Sequence, residues 1–416
     1  MRILLVLIFF IGYYLQVHIY EPIYFPFAPA IMSGVVLLYL YGKLKFESII
    51  FFVLIFLICF SSLIPLLFSM HRIDFFRPQF NSAILLVFSI VASVGMMKTV
   101  SYDSCKIVEL RYRNLAILFV VAAILEVVGI LKPVSDTVRL LIHPSEIVYG
   151  TGRWNDIRDI TTFGIVRPKV FASEPSYLGT TISIFCSMSL AASASLRNVL
   201  IVVVTLCIGY VFVRSPTMFV GLLFAAMTIK EKYSWRQLAE NPFALPLILL
   251  TLFFGVVFLY NQSSRVGSDI QSIDPSVFVR IIAPALVLWE TISIYPLFGF
   301  GFGAKESLLE VINLVFSSPL APDYVFQSES AVSSNSIIST FIQLGLVGGI
   351  IVSYSVVKLF KTFLPKIPLR FWVFILLYGL TVPPNNTVIF WGGILAVLGA
   401  LISGAQSQLA QAGRWR

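Results

Sequence analysis

The sequence predicts an all-α polytopic membrane protein with about twelve transmembrane helices and two large segments on the outer side. Three observations carry this. The 416-residue chain is 58% hydrophobic and only 12% charged, whereas soluble domains carry about a quarter charged residues. Its mean hydropathy is +0.93. Its apolar residues gather into runs long enough for a hydrocarbon core of ~30 Å, which a helix crosses in ~17–25 residues.

The runs lie at about 3–19, 25–42, 48–69, 80–98, 114–131, 175–196, 198–213, 216–230, 243–260, 334–357, 371–384 and 388–404. The first has Arg2 before it and no small-x-small site after it, so it reads as a retained helix rather than a leader. The runs divide the chain into five parts. Residues 1–131 hold helices one to five, and 132–174 form an outer segment. Residues 175–260 hold helices six to nine, 261–333 a large outer loop, and 334–416 the last three helices with a tail.

Lys and Arg give the orientation. Seventeen of the 29 fall on the side that holds both termini, in the shorter loops, which makes that side cytoplasmic by the positive-inside rule. Fourteen of the 20 acidic residues fall on the other side, with twelve basic ones. The net charge of +9 therefore reads as topology, and no nucleic-acid partner is expected. Cys59, Cys105, Cys186 and Cys207 form no CxxC pair, and His18, His71 and His143 lack ligand spacing. Neither a metal nor another cofactor is expected.

Chemistry is expected where the chain does not span. In RPKVFASEPSYLG (167–179), Pro168 biases Arg167 toward extended backbone. Ser173-Glu174-Pro175 reads as a helix start with Ser as cap. Glu174 either complements the positive helix end or is a working carboxylate beside Arg167 and Lys169, with Tyr177 a turn further on. In FVRIIAPALVLWETISIYPLFGFGFGAKES (278–307), Arg280 opens a short amphipathic helix that Pro296 ends. Gly299, Gly301 and Gly303 then allow a tight turn, whose N–H groups either approach an anion or serve only the turn. Arg265 and Lys305 add cations to the same loop. Ser334 and Asn335 open the next span as caps. Gly345, Gly348 and Gly349 read as helix-packing residues. Arg214, in the outer turn VRSPT, reads as a snorkelling end or a cavity lining.

These features together resemble the bacterial O-antigen polymerase and ligase superfamily. The resemblance lies in the late outer loop, Arg280 before an apolar helix and Pro-Leu-Phe-Gly, the Asn335 span start running to Gly-Leu-Val-Gly, and Arg167 ahead of Glu174-Pro175. It covers about residues 165–350. It implies a metal-independent glycosyltransferase of the C type at the periplasmic face of the inner membrane, acting on undecaprenyl-diphosphate-linked oligosaccharides. Arg167 and Arg280 match the arginines that bind the donor diphosphate. Ligases carry a His near the start of the span after the long loop. Here that stretch reads Ser333-Ser334-Asn335, and no His follows His143.

The polymerase branch is therefore expected, making O-antigen, capsule or exopolysaccharide. Catalytic roles fall to Glu174, Arg280 and Arg167, and substrate binding to Lys169, Arg265, Asn335, Lys305 and Tyr177. Asp323 and Glu329 stand behind Glu174 as the base. Expected partners are the lipid-linked donor, membrane lipids, and a chain-length regulator and flippase of the same pathway. The alternatives are a ligase that transfers glycan to lipid A core, or a transporter or flippase of lipid-linked oligosaccharide. Against a transporter, the spans hold almost no charge apart from Glu126 near an outer end.

Overall fold

The computed structural model describes residues 1–17, 27–42, 76–142, 159–160, 164–234, 278, 282–301, 305–317, 335–381 and 387–413, without the side chains of 76–80, 305–307 and 411–413. Its helices are α1 (Arg2–Leu15), α2 (Ala28–Tyr41), α3 (Phe76–Tyr102), α4 (Cys105–Val127), α5 (Lys132–Ile142), α6 (Pro175–Ala192) and α7 (Leu196–Val213). There follow α8 (Met218–Lys232), α9 (Ala283–Ile294), α10 (Lys305–Phe316), α11 (Ser336–Phe363), α12 (Leu369–Thr381) and α13 (Val388–Gly413). Among the described residues there is no strand.

Every expected run contains a helix except 48–69 and 243–260, which lie outside the described residues. Among the described residues, four helices are long and apolar enough to cross a membrane: Asn81–Tyr102, Leu196–Val213, Ser336–Phe363 and Val388–Ala410. A fifth crossing is counted if α4 and α5, bent by 105°, form one span. The protein is thus an α-helical, multi-pass membrane protein.

Helix α6 is the hub. It packs against α1, α4, α7, α8 and α13, and every residue from Leu178 to Ala192 is buried. Its hydroxyls explain how so central a helix fits. Ser183 donates to the Thr217 carbonyl at 3.0 Å and Ser189 to the Glu109 carbonyl at 3.1 Å, and small hydroxyl residues let helix backbones approach in lipid. Helices α2 and α3 meet closer still. A Cβ on Gly95 would sit 2.0 Å from the Gly34 carbonyl oxygen, so only glycine fits there.

Side-chain contacts tie distant segments together in two groups. In the first, Asp103 accepts from Arg2 at 3.0 Å and from Arg111 at 2.6 Å. Ser403 donates to the Asp103 carbonyl at 2.7 Å, and Arg370 pairs with Glu231 at 3.4 Å. In the second, the Tyr14 hydroxyl donates to the carbonyls of Lys169 and Val170 at 2.8 and 2.7 Å.

Helix α11 runs for 28 residues and breaks at Gly345, whose φ is 64°. Twenty-eight residues rise about 42 Å, well beyond the ~30 Å of hydrocarbon. The part after the break rises about 27 Å, and Leu346, Val347, Ile350, Ile351 and Tyr354 on it are exposed, as a lipid-facing stripe requires. The residues after α9 repair the break. Phe300 and Gly301 N–H donate to the carbonyls of Ile342 and Gln343 at 3.1 and 2.7 Å. Leu346 and Val347 N–H donate to the carbonyls of Pro296 and Leu297 at 3.0 and 3.2 Å. Gly299 and Gly345 meet backbone to backbone, since a Cβ on either would lie 2.5 Å from the other segment. The glycines read from sequence as helix packing therefore include one that ends a helix segment. A second apolar core, with Phe278, Val287, Phe300, Ile312 and Ile342, sits over this junction, apart from the main bundle core.

Candidate functional site

The N-terminal end of α6 collects the site. The preceding segment 164–174 is extended and turned, as Pro168 requires. Glu174, not Ser173, is the N-cap; it has no side-chain cap bond, and Pro175 fills the first turn. Glu174 carries a carboxylate that accepts from Ser176 Oγ at 2.9 Å. Thr217, in the turn that holds Arg214, donates to the Ser176 carbonyl at 3.2 Å. Arg214 itself caps α7 in a left-handed conformation, and its Nε donates to the Val211 carbonyl at 3.4 Å.

A cavity of about 260 Å³ opens beside this segment. Lys132, Arg139, Arg167 and Lys169 line it with Glu126, and Ile165, Val166 and Pro168 form an apolar wall. Ligand pockets run to about 300–1,000 Å³, so this one has the size of a charged head group rather than of a whole glycan. Lys132 and Arg139 come from α5, where they are two turns apart and so share a face. That helix turns 105° from α4 and exposes Val134, Leu140 and Leu141. Helices α4 and α5 together are apolar enough for one broken span or a re-entrant loop.

Arg167 is 8% exposed and Lys169 2%, which sets the electrostatics. Arg167 Nε and Nη2 both donate to Asp159 Oδ1, at 2.9 and 2.6 Å, and its N–H donates to Asp159 Oδ2 at 3.3 Å. Asp159 is fully buried. Arg139 pairs with Asp136. Among the described residues, the four cations of the lining stand with three carboxylates: Glu126 in the lining, Asp136 paired with Arg139, and Asp159 paired with Arg167.

The turn after Arg167 is strained. Val170 and Phe171 have φ of 46° and 73°, a left-handed conformation that a β-branched residue avoids at a cost of about 1–3 kcal/mol each. Three elements hold it. Glu126 of α4 accepts from the N–H of Lys169 at 3.3 Å and of Val170 at 2.5 Å. Ser135 of α5 accepts from the Phe171 N–H at 3.0 Å. Tyr14 of α1 holds the carbonyls.

Of the residues singled out from sequence, Arg167 and Lys169 line the cavity. Glu174 and Tyr177 lie outside its lining, a turn along the same segment. Asn335 is the N-cap of α11, its Oδ1 accepting from the Ile338 N–H at 3.0 Å, so its side chain serves the helix start. Lys305 opens α10, with its side chain outside the described residues, as are Arg265, Arg280, Asp323 and Glu329. The anion-approach reading of the glycine turn does not hold for Gly299 and Gly301, whose N–H groups donate to the carbonyls of Tyr295 and Gln343. Gly303 lies outside the described residues. Sequence reasoning missed Lys132, Arg139 and Asp159, and noted Glu126 only as a charge near the end of a span. A usable signal existed only for Lys132 and Arg139, through their seven-residue spacing.

Among the described residues no group of three or more His, Cys, Asp or Glu is placed to hold a metal ion. No protein-family model matches the chain, and no curated protein matches it. Fold and site together define the class: a multi-pass α-helical membrane protein with a small cation-lined cavity at one end of its helix bundle.

Proposed function

We propose that the protein polymerises undecaprenyl-diphosphate-linked oligosaccharide repeat units at the periplasmic face of the bacterial inner membrane. The product is O-antigen, capsule or exopolysaccharide. The observation that carries the reading is the head-group-sized cavity lined by Lys132, Arg139, Arg167 and Lys169 beside helix α5, which turns 105° from α4 and exposes apolar side chains. A lipid diphosphate needs such a site: buried cations for its phosphates and a lipid-facing flank for its tail.

The chemistry follows from the charges. An acceptor hydroxyl oxygen bonds to the anomeric carbon of the donor. The bond from that carbon to the diphosphate breaks, and the lipid diphosphate leaves with the electron pair. Fixed cations stabilise the charge that develops on it, and arginine forks match phosphate oxygens. The hydroxyl proton passes to a carboxylate, for which Glu174 is the proposed acceptor. Arg280, on the long outer loop, is proposed to complete the phosphate grip.

A flippase of the same lipid gains one observation, the broken helix α11, since transporters place substrates at helix breaks. Here, however, residues 296–301 occupy the backbone groups of the break, which leaves them unavailable to a substrate.

The reading is tested in a strain lacking the endogenous protein. Arg167→Ala and Arg280→Ala, each shown to be inserted at wild-type level, are expected to leave single repeat units attached to the carrier or core on a polysaccharide gel. Full-length polymer from both variants would refute it. Units stranded on the cytoplasmic side would indicate a flippase, and full-length chains that stay on the carrier would indicate a ligase.

A further inference from the structure

Glu126 is the group whose position the proposed reaction leaves unexplained. It is 6% exposed and lies in the last turn of α4, which ends at Val127. A carboxylate there opposes the negative end of the helix dipole and is costly at membrane depth. Helix stability does not account for it. Nor is it arranged as a base, because both its oxygens accept backbone N–H groups, Oε1 from Lys169 and Oε2 from Val170.

What those bonds hold is the left-handed backbone at Val170 and Phe171. Successive N–H groups converging on one anion form a nest, and here the anion is a side chain of the protein itself. The turn lies directly after the two buried cations of the cavity. We propose that Glu126 is a positioning residue: by clamping the Lys169 and Val170 amides it fixes the strained turn that sets Arg167 and Lys169 in the cavity wall. Tyr14 holds the same peptides from the carbonyl side. That the positioned cations grip a phosphate rests on the function proposed above; the clamp itself does not.

A glutamine at 126 keeps the size but replaces one acceptor oxygen by a donor that faces an N–H. In the full-length protein in lipid nanodiscs, Glu126→Gln is expected to speed amide exchange across residues 168–172 about tenfold or more, with exchange in α6 to α8 unchanged. Affinity for farnesyl diphosphate, the probe for calorimetry, is expected to fall about tenfold with it. Glycine adopts the left-handed conformation without a clamp. Glu126→Gln/Val170→Gly is therefore expected to recover most of the affinity while the amides stay fast. Tyr14→Phe should shift both readouts in the same direction by less, and serves if Glu126→Gln does not insert.

Unchanged exchange at 168–172 in both Glu126→Gln and Tyr14→Phe would overturn the clamp. So would a double variant as weak as Glu126→Gln alone, which would show that Glu126 does not act through the turn. If the wild type fails to bind farnesyl diphosphate, the phosphate reading of the cavity falls, and the exchange experiment, which needs no ligand, still decides the clamp.

Discussion

Alanine in place of Asp159 is expected to destabilise the protein by about 3–5 kcal/mol, the usual cost of removing one partner of a buried ion pair. Asp159 is fully buried and takes three N–H groups of Arg167, which is itself 8% exposed. The variant leaves a guanidinium in a dry space without its carboxylate. Thermal unfolding in detergent, followed by tryptophan fluorescence, measures the loss. The double variant Asp159→Ala/Arg167→Ala removes both charges and is expected to regain most of the stability. It should nevertheless make no long polysaccharide, because the cation itself is gone. A stable double variant that makes full-length chains would reduce Arg167 to a structural ion pair.

Gly345→Ala is expected to be nearly as damaging, at about 2–5 kcal/mol, by adding the strain of a left-handed L-residue to an overpacked contact. The φ of Gly345 is 64°, and its Cβ would lie 2.5 Å from the Leu297 carbonyl and the Phe298 nitrogen. Backbone cannot give way as a side-chain tip can. Gly129→Ala separates the two terms, since Gly129 has φ of 93° but nothing within 4 Å of its Cβ. It should cost only the conformational part, about 1–2 kcal/mol. Equal melting temperatures for the two variants would mean that the junction of 296–301 with α11 is not a tight one.

Much of the fold is legible in the sequence because lipid imposes a simple rule: apolar runs of sufficient length become helices. Pro296 ends α9 and Asn335 caps α11 where local chemistry puts them. What the sequence hides is pairing across distance. Nothing local says that Glu126 will reach amides more than forty residues away, or that Asp159 will fold back on Arg167. The PLFGFG stretch and Gly345 each look like an isolated glycine feature, and their backbone pairing appears only once α11 is seen to break. Helix α5 was hidden for another reason. It is a short helix of 11 residues, too short to register among runs of spanning length. Its Lys132 and Arg139 supply two of the four cations that line the cavity.

The central claim, that this cavity receives the diphosphate of a lipid-linked glycan, meets its most direct test in electron cryomicroscopy. The protein would be reconstituted in nanodiscs with undecaprenyl diphosphate. Density for the two phosphates is expected within hydrogen-bond distance of Arg167, Lys169, Lys132 and Arg139, with the isoprenoid chain leaving along α5 into the outer leaflet. Diphosphate density at another place on the protein, with this cavity filled only by water, would contradict the claim.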